Sequence, residues 1–546
     1  MDQSIGTIIT ASDIEGAERV LGVRFTAAER TLVAAVIAEQ IGRATVRRAA
    51  TMAAPDSDIP PATVFNPRLP GTPIPTPGPL HLPKSNKSCP TDDTEIAFAP
   101  VTDQIAWLRA GTLTATRLTQ IYFDRIERQN PHLLCYARLN PDALARAAAL
   151  DARAAAGDWA GPLHGIPYAC KDIIDTAGLN TDWGAEPYHG RTPATDAITV
   201  QRLHEAGAIL LGKSTVGALA YGDLWHGGRT RNPWNIEEGS SGSSAGSAAA
   251  TAAGLCSFAL GTETYGSIVS PTTRCGATGL RPSFGRIART GTMTLCPSLD
   301  KIGPIARTTA DCALILSILN GADFTDPSSI EAAFGGDLRT LPTNLRLGYV
   351  PSDIADDDTI TPTILDHCRA LGLTPVACHR PELPYDSLIA ILMAEAAASF
   401  EPLTLSDRDD LLTWQDENAW PNQFRAARLL SAVDHIQLDR LRRQTMQMMS
   451  DIFTDIDVLI GPSLAGPMLG ITNFTGHPCL CLPAGFIQSP SRIADTLAGT
   501  QTAPTPATHR VPHSISLWGR LFDEAPMLAL GHALEMRLKL DLRPPS

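Results

Sequence analysis

The stretch Ser240–Gly276 reads SSGSSAGSAAATAAGLCSFALGTETYGSIVSPTTRCG, and no other segment says as much about this chain. It opens as a glycine-serine loop and runs into an Ala-rich helix. A loop of this kind at a helix N-terminus can cradle a phosphate with backbone N–H groups. No Gly-Lys-Ser/Thr ending and no G-x-G-x-x-G is present, so nucleotide binding has weak support. A flexible linker is a second reading, and the strongly apolar segment that follows at once argues against it. A third reading fits better. A nucleophilic serine needs a tight turn that exposes its hydroxyl and N–H groups that converge on the substrate oxygen. Thr264-Tyr265-Gly266-Ser267 can supply both. No histidine stands in a suitable local motif, and G-x-S-x-G does not occur in an α/β-hydrolase context. A base other than histidine is therefore required, and lysine is the usual substitute in serine hydrolases.

Working outward, short apolar runs at Ile166–Cys170, Ile209–Leu211 and Leu345–Val350 alternate with Gly-rich turns and Ala-rich helices. That alternation predicts an α/β body, a largely parallel or mixed sheet with helices on both faces. Ile105–Asn130 and Pro141–Ala156 read as helices, Ala245–Leu260 as a buried helix, and residues 390–455 as helical again. The last segment offers Met393, Phe400, Trp414, Trp420 and Phe424 either to line a cavity or as plain core.

Residues 1–50 read as helical. Thr26-Ala-Ala-Glu29 forms a capping box, and Leu32, Val33, Val36, Ile37 and Ile41 follow at helical spacing. Such an apolar stripe needs a partner surface, on the main body or on a second subunit, which leaves a homodimer open. Between Pro55 and Pro90 eleven prolines exclude helix interiors and central strands and predict an extended linker. The organisation expected is a helical extension over 1–54, a Pro-rich linker over 55–94 and a catalytic domain over 95–540.

The 546 residues are 44% hydrophobic and 18% charged, a composition that buries a large core. A formal net charge of −13 argues against nucleic acid or an anionic membrane held by bulk charge. The eleven cysteines form no CxxC pair and read as buried small hydrophobes in a reducing compartment. The N-terminus lacks the basic region and apolar core of a secretory signal, and no strongly apolar run reaches 18 residues. A cytoplasmic protein with no membrane partner is expected.

Several ordered motifs together resemble the amidase signature family over roughly residues 100–540. Ser241-Gly-Ser-Ser-Ala-Gly-Ser-Ala-Ala-Ala resembles its GGSSGGSAAA, and Gly261-Thr-Glu-Thr-Tyr-Gly-Ser-Ile its GTDTGGSI. The 24 residues from Ser243 to Ser267 match the family spacing. Gly161-Pro-Leu-His-Gly-Ile-Pro-Tyr-Ala-Cys-Lys171-Asp172, Gly212-Lys-Ser, Arg231-Asn-Pro-Trp-Asn235, Cys275-Gly-Ala-Thr-Gly-Leu-Arg-Pro282, Phe474-Thr-Gly-His-Pro478 and Leu517–Glu524 match flanking blocks in order. The resemblance implies the amidase-signature fold, a large mixed twisted β-sheet covered by helices on both faces, preceded here by the helical extension. It also implies hydrolysis of a carboxylic amide through an acyl-enzyme. In that scheme Ser267 is the nucleophile, Ser243 the bridging serine in a cis Gly242–Ser243 peptide, and Lys171 the base. The backbone N–H groups of Thr264, Tyr265, Gly266 and Ser267 would form the oxyanion hole. Ser244, Tyr265, Trp414 and Phe424 are candidate substrate contacts. No metal and no organic cofactor is implied, and the partner is a small-molecule amide.

The chain departs from the family pattern in ways that bear on the substrate. Glu263 stands for the usual aspartate, Tyr265 for the first of two paired glycines, and Val269 for a frequent arginine. With an ordinary backbone the Tyr265 phenol would point into or across the pocket. Carbamate or ester hydrolysis on the same site, and a glutamine-amidotransferase subunit, are the alternative activities. A catalytically weak binding protein is the alternative from another class.

Overall fold

The structure is a computed structural model that describes residues 9–53, 61–356, 358–492 and 507–545. Eleven strands form one mixed sheet. In chain order they are β1 (Tyr136–Leu139), β2 (Pro167–Lys171), β3 (Ile209–Ser214), β4 (Phe258–Glu263), β5 (Thr278–Arg281), β6 (Lys301–Ala306), β7 (Leu347–Tyr349), β8 (Val376–Ala377), β9 (Val458–Pro462), β10 (Cys479–Pro490) and β11 (Thr508–Gly519). Their order across the sheet is β8-β7-β9-β11-β10-β5-β6-β4-β2-β3-β1. The β4-β2-β3 group is parallel, as the alternation of short apolar runs and helices predicts. From β4 through β6, β5, β10, β11 and β9 every pairing is antiparallel.

Successive residues of a strand point to opposite faces, and β10 shows what covers each. Leu480 meets Gly531 of the helix Ala525–Leu538. Its neighbour Cys481 meets Thr273 of the helix Val269–Cys275, with Sγ and Oγ1 3.2 Å apart. Helices therefore sandwich the sheet, and β2, β4, β6, β9 and the first half of β10 are buried throughout.

The Ala-rich helix is shorter than the sequence suggests. It covers Ala245–Ala252 and stops ahead of Gly254, whose φ of +66° is left-handed. The apolar residues from Phe258 onward turn into β4 instead, because a buried helix and a buried parallel strand have the same hydrophobic signature. The Ala, Gly and Ser content has a packing reason. A Cβ on Gly246 would lie 2.2 Å from the Cys135 carbonyl oxygen and 2.4 Å from Thr215 N, so the helix lies directly on neighbouring backbone. The expected helix Ile105–Asn130 is likewise two helices, Val101–Arg109 and Ala115–Leu133. They are split at Gly111, and Thr114 caps the second through Arg117 N.

Near the N-terminus, the helix Ala27–Ala53 carries the predicted box, with Thr26 N 2.6 Å from Glu29 Oε2 and Glu29 N 3.3 Å from Thr26 Oγ1. Its stripe is only partly covered: Leu32 and Val36 are exposed, while Val33, Ile37 and Ile41 are half-buried. The helix is tied to the body by the Arg47–Glu401 ion pair. The described part of the proline-rich segment, residues 61–92, runs without helix over the body, and residues 55–60 of the expected linker lie outside the described residues. Leu80–His81 adds a short parallel strand to Gly336–Asp337, and Trp107 donates to the Lys87 carbonyl at 2.8 Å. The Phe65 ring packs edge-on to Phe284 at 5.1 Å and lies under the Arg442 guanidinium at 3.4 Å. Arg442 is itself buried and donates to Phe474 O at 2.6 Å and Ser298 O at 2.7 Å. No helix of the described residues is long and apolar enough to cross a membrane.

Phe65→Ala is expected to lower stability by about 1–3 kcal/mol, because it removes both an aromatic contact and the ring face under a buried guanidinium. The check is the urea midpoint of the variant against that of the parent.

Candidate active site

Lys171 is the last residue of β2, with β3 and β4 parallel on either side. The C-terminal edge of parallel strands is where an α/β sheet opens a crevice. Its side chain is fully buried and points among hydroxyls. Nζ lies 2.7 Å from Thr262 Oγ1, 2.9 Å from Ser243 Oγ and 3.1 Å from Ser244 Oγ. Burial pushes the Lys171 ammonium down to about 7, with Asp300 and Glu263 opposing the shift. An amine poised there is neutral for a large part of the time at physiological pH and can take a proton.

The loop before the Ala-rich helix is held by backbone contact. The Gly242–Ser243 peptide is cis. A Cβ on Gly242 would stand 1.8 Å from the Gly222 carbonyl oxygen, so no side chain fits there. Ser241 N donates to Asp223 Oδ2 at 2.9 Å, and Asp223 is paired with Arg229 at 2.6 Å. Ser243 thereby faces Lys171.

Glu263, at the end of β4, organises the turn that follows. Its Oε2 accepts from Ile268 N at 2.8 Å and Val269 N at 2.9 Å. Its Oε1 accepts from Arg281 Nη1 at 2.5 Å and Asn473 Nδ2 at 2.9 Å. Burial alone would raise this carboxyl, but the Arg281 charge and the N–H donors outweigh it and hold Glu263 below its usual range. One carboxylate thus curls residues 264–269 into a turn. Gly266 takes φ +84° within it, and Tyr265 keeps an ordinary backbone. Ser244 N donates to Ser267 O at 3.1 Å, which locks the turn against the serine loop. Among the described residues no protein acceptor meets the amide N–H groups of Tyr265, Gly266 or Ser267. They remain available to a developing oxyanion.

The tyrosine that replaces a family glycine is 39% exposed, so its ring borders open space. It leans on the helix Met468–Thr475, with its hydroxyl 2.9 Å from where a Gly470 Cβ would be and its ring 6.0 Å from Phe474. A cavity lined by Ile173, Ala220, Thr262, Thr264, Met293 and Lys301 adjoins the lysine.

Two of the expected substrate contacts need correcting. Ser244 is fully buried, and its hydroxyl donates to Thr262 O at 3.0 Å and accepts from Thr262 N at 3.1 Å and from Lys171. It positions the lysine and presents nothing to a ligand. Phe424 is 1% exposed and stacks on Trp420 at 4.9 Å and Phe400 at 5.6 Å, as core behind the cleft. Trp414 is half-buried against Tyr221 at 5.1 Å. Trp420 donates to Leu219 O at 3.1 Å, bracing the segment whose Gly222 carbonyl sets the serine loop. Thr262, Glu263 as a turn clamp, Arg281 and Asn473 do not stand out from sequence. Arg281 lies inside the Cys275–Pro282 block, which is the one signal that points to it.

The family model for Amidase matches residues 117–528. A glutamyl-tRNA(Gln) amidotransferase subunit of Roseiflexus castenholzii is 33% identical over 462 residues, spanning 78% of this chain and 93% of that protein. The corresponding protein of Ralstonia nicotianae is 32% identical over 490 residues, 81% of this chain and 98% of its own length. Among solved structures, the native peptide amidase of Stenotrophomonas maltophilia superposes with a TM-score of 0.70 at 28% identity, covering 83% of this chain and 99% of that one.

Glu263→Ala is expected to cost about 3–5 kcal/mol, because it strands the buried Arg281 charge and frees two turn N–H groups. Chemical denaturation measures the loss, and an unchanged midpoint would mean that the turn holds without its clamp.

Proposed function

The chain belongs to the amidase signature family and is an amide C–N hydrolase, and on that premise we propose that it works through a Ser267 acyl-enzyme with Ser243 and Lys171 as its proton relay. What carries this reading is the Lys171 amine, buried, brought to about 7 and 2.9 Å from the Ser243 hydroxyl. In the proposed reaction the neutral amine takes the Ser243 proton as Ser243 takes that of Ser267. The Ser267 oxygen then attacks the amide carbonyl. The oxyanion is held by the backbone N–H groups of Thr264–Ser267, of which those from Tyr265 to Ser267 have no other acceptor among the described residues. As the tetrahedral adduct collapses, the C–N bond breaks and the proton on Lys171 returns through Ser243 to the leaving nitrogen. Water then gives a proton to the relay as it attacks the acyl carbon, and when the bond to Ser267 breaks the relay returns that proton to the Ser267 oxygen and the acid leaves. The same acyl chemistry would serve a carbamate or an ester.

The likeness to peptide amidase supports a peptide-like amide substrate, and the half-exposed Tyr265 ring supplies an apolar edge for it. A second reading, a glutamine-hydrolysing subunit, is favoured by the 33% identity to the Roseiflexus castenholzii protein across 93% of its length. A panel of peptide amides, aryl amides, esters, carbamates and free glutamine separates the two. Glutamine turnover dominant over all the others would displace the first reading. The eleven cysteines are all free thiols, nine of them buried.

A fluorophosphonate probe is expected to label Ser267, and Lys171→Ala and Ser243→Ala should suppress labelling and lower kcat roughly 10⁴-fold or more. An adduct on another serine in peptide mass spectrometry would refute the relay. The acidic limb of kcat/KM should also have its midpoint near 7, because protonated Lys171 is inactive as a base and activity rises as pH climbs through that value. A flat profile across the neutral range would contradict the assignment of Lys171 as base.

A further inference from the structure

Outside the active site, Asp182, His189 and His226 bring one ligand atom each within 4.8 Å of one another. We propose that they form a binding site for a divalent transition metal of the zinc class. Asp182 Oδ2 lies 3.3 Å from His226 Nε2 and 3.4 Å from His189 Nδ1. Ligand bonds of about 2.0–2.1 Å at tetrahedral angles put neighbouring ligand atoms about 3.3–3.4 Å apart, so both edges already have the length that zinc requires. The chemistry of the set, two imidazoles and one carboxylate, is that of a zinc site with an open fourth position.

Three further observations point the same way. His226 Nε2 is buried and makes no hydrogen bond of good geometry; its near neighbour is Asp182 Oδ2 at 3.3 Å. Asp182 is fully buried; Gly190 N holds Oδ1 from behind at 3.0 Å, while the Arg138 guanidinium shares Oδ2, the oxygen that faces both imidazoles. Such outer contacts fix a ligating carboxylate in place. Arg138 also lowers the negative charge offered to the ion, so the site suits imidazole-seeking metals over calcium or magnesium, which need several oxygens. His189 is 67% exposed and gives the ion a way in from solvent.

The scaffold is rigid where it needs to be. Asp182 N donates to Asp172 Oδ2 at 3.1 Å, His189 N to Glu186 O at 3.1 Å and His226 N to Gly184 O at 3.0 Å. A bound ion would therefore cross-link the segment 182–190 to the hairpin of Leu224–Trp225 and Gly228–Arg229. Its role is structural. It does not touch Lys171, Ser243 or Ser267, and the inference stands or falls independently of the proposed relay.

The test uses the full-length, tag-free chain stripped with a chelator and titrated with zinc against a chromophoric competitor. One equivalent should bind. His189→Ala and His226→Ala should each weaken binding at least about tenfold, and zinc should raise the Tm of the parent but not of the double variant. Cobalt(II) in place of zinc should give the intense visible bands of a tetrahedral site. No stoichiometric uptake by the parent, or unchanged affinity in the double variant, would overturn the proposal. Should His226→Ala fail to fold, the exposed His189→Ala decides the matter alone.

Discussion

Removing the Lys171 ammonium from water is the constraint around which the site is built. A buried cation normally recruits a carboxylate, and a lysine so paired would stay protonated and useless as a base. Here the two nearby carboxyl groups are committed elsewhere. Glu263 is paired with Arg281 and two backbone N–H groups. Asp300 accepts from Thr264 Oγ1 at 2.6 Å and from the N–H groups of Leu295 and Cys296. What remains around Nζ is hydroxyl oxygen from Ser243, Ser244 and Thr262 and, at 3.4 Å, the Thr262 carbonyl, all uncharged acceptors that solvate the amine without a carboxylate to hold its proton.

The same contacts tie the site to the sheet. Thr262 and Glu263 are adjacent on β4, so their side chains leave opposite faces. One reaches the lysine, and the other reaches Arg281 on β5 and the turn that carries Ser267. A single strand end therefore sets the proposed base and the proposed nucleophile together. Further buried pairs brace the region, notably Arg286 with Glu524 at 2.8 Å, joining segments far apart in the chain. Removing one member of such a pair is costly, because the other is left charged and dry.

The readings that failed did so for identifiable reasons. Ala245–Leu260 looks like one buried helix because small apolar residues carry no period that separates helix from buried strand. The left-handed turn at Gly254 decides it. Ser244 looks like a ligand contact because it neighbours the candidate catalytic Ser243, and only the register of the loop against β4 turns its hydroxyl inward. Phe424 looks like a cavity wall because aromatic residues line pockets and cores alike. The pair of imidazoles beside Asp182 leaves no local motif, since His226 lies 44 positions from the aspartate.

By itself the sequence determined the family, the alternating body, the capped N-terminal helix and the candidate residues Lys171, Ser243 and Ser267, because those follow from ordered local motifs and turn chemistry. The tertiary structure alone decided which hydroxyls surround the lysine and that Glu263 serves as a clamp. It likewise decided where the antiparallel half of the sheet joins the parallel half. Burial, charge pairing and strand neighbours are relations between distant segments, and no local stretch of residues encodes them.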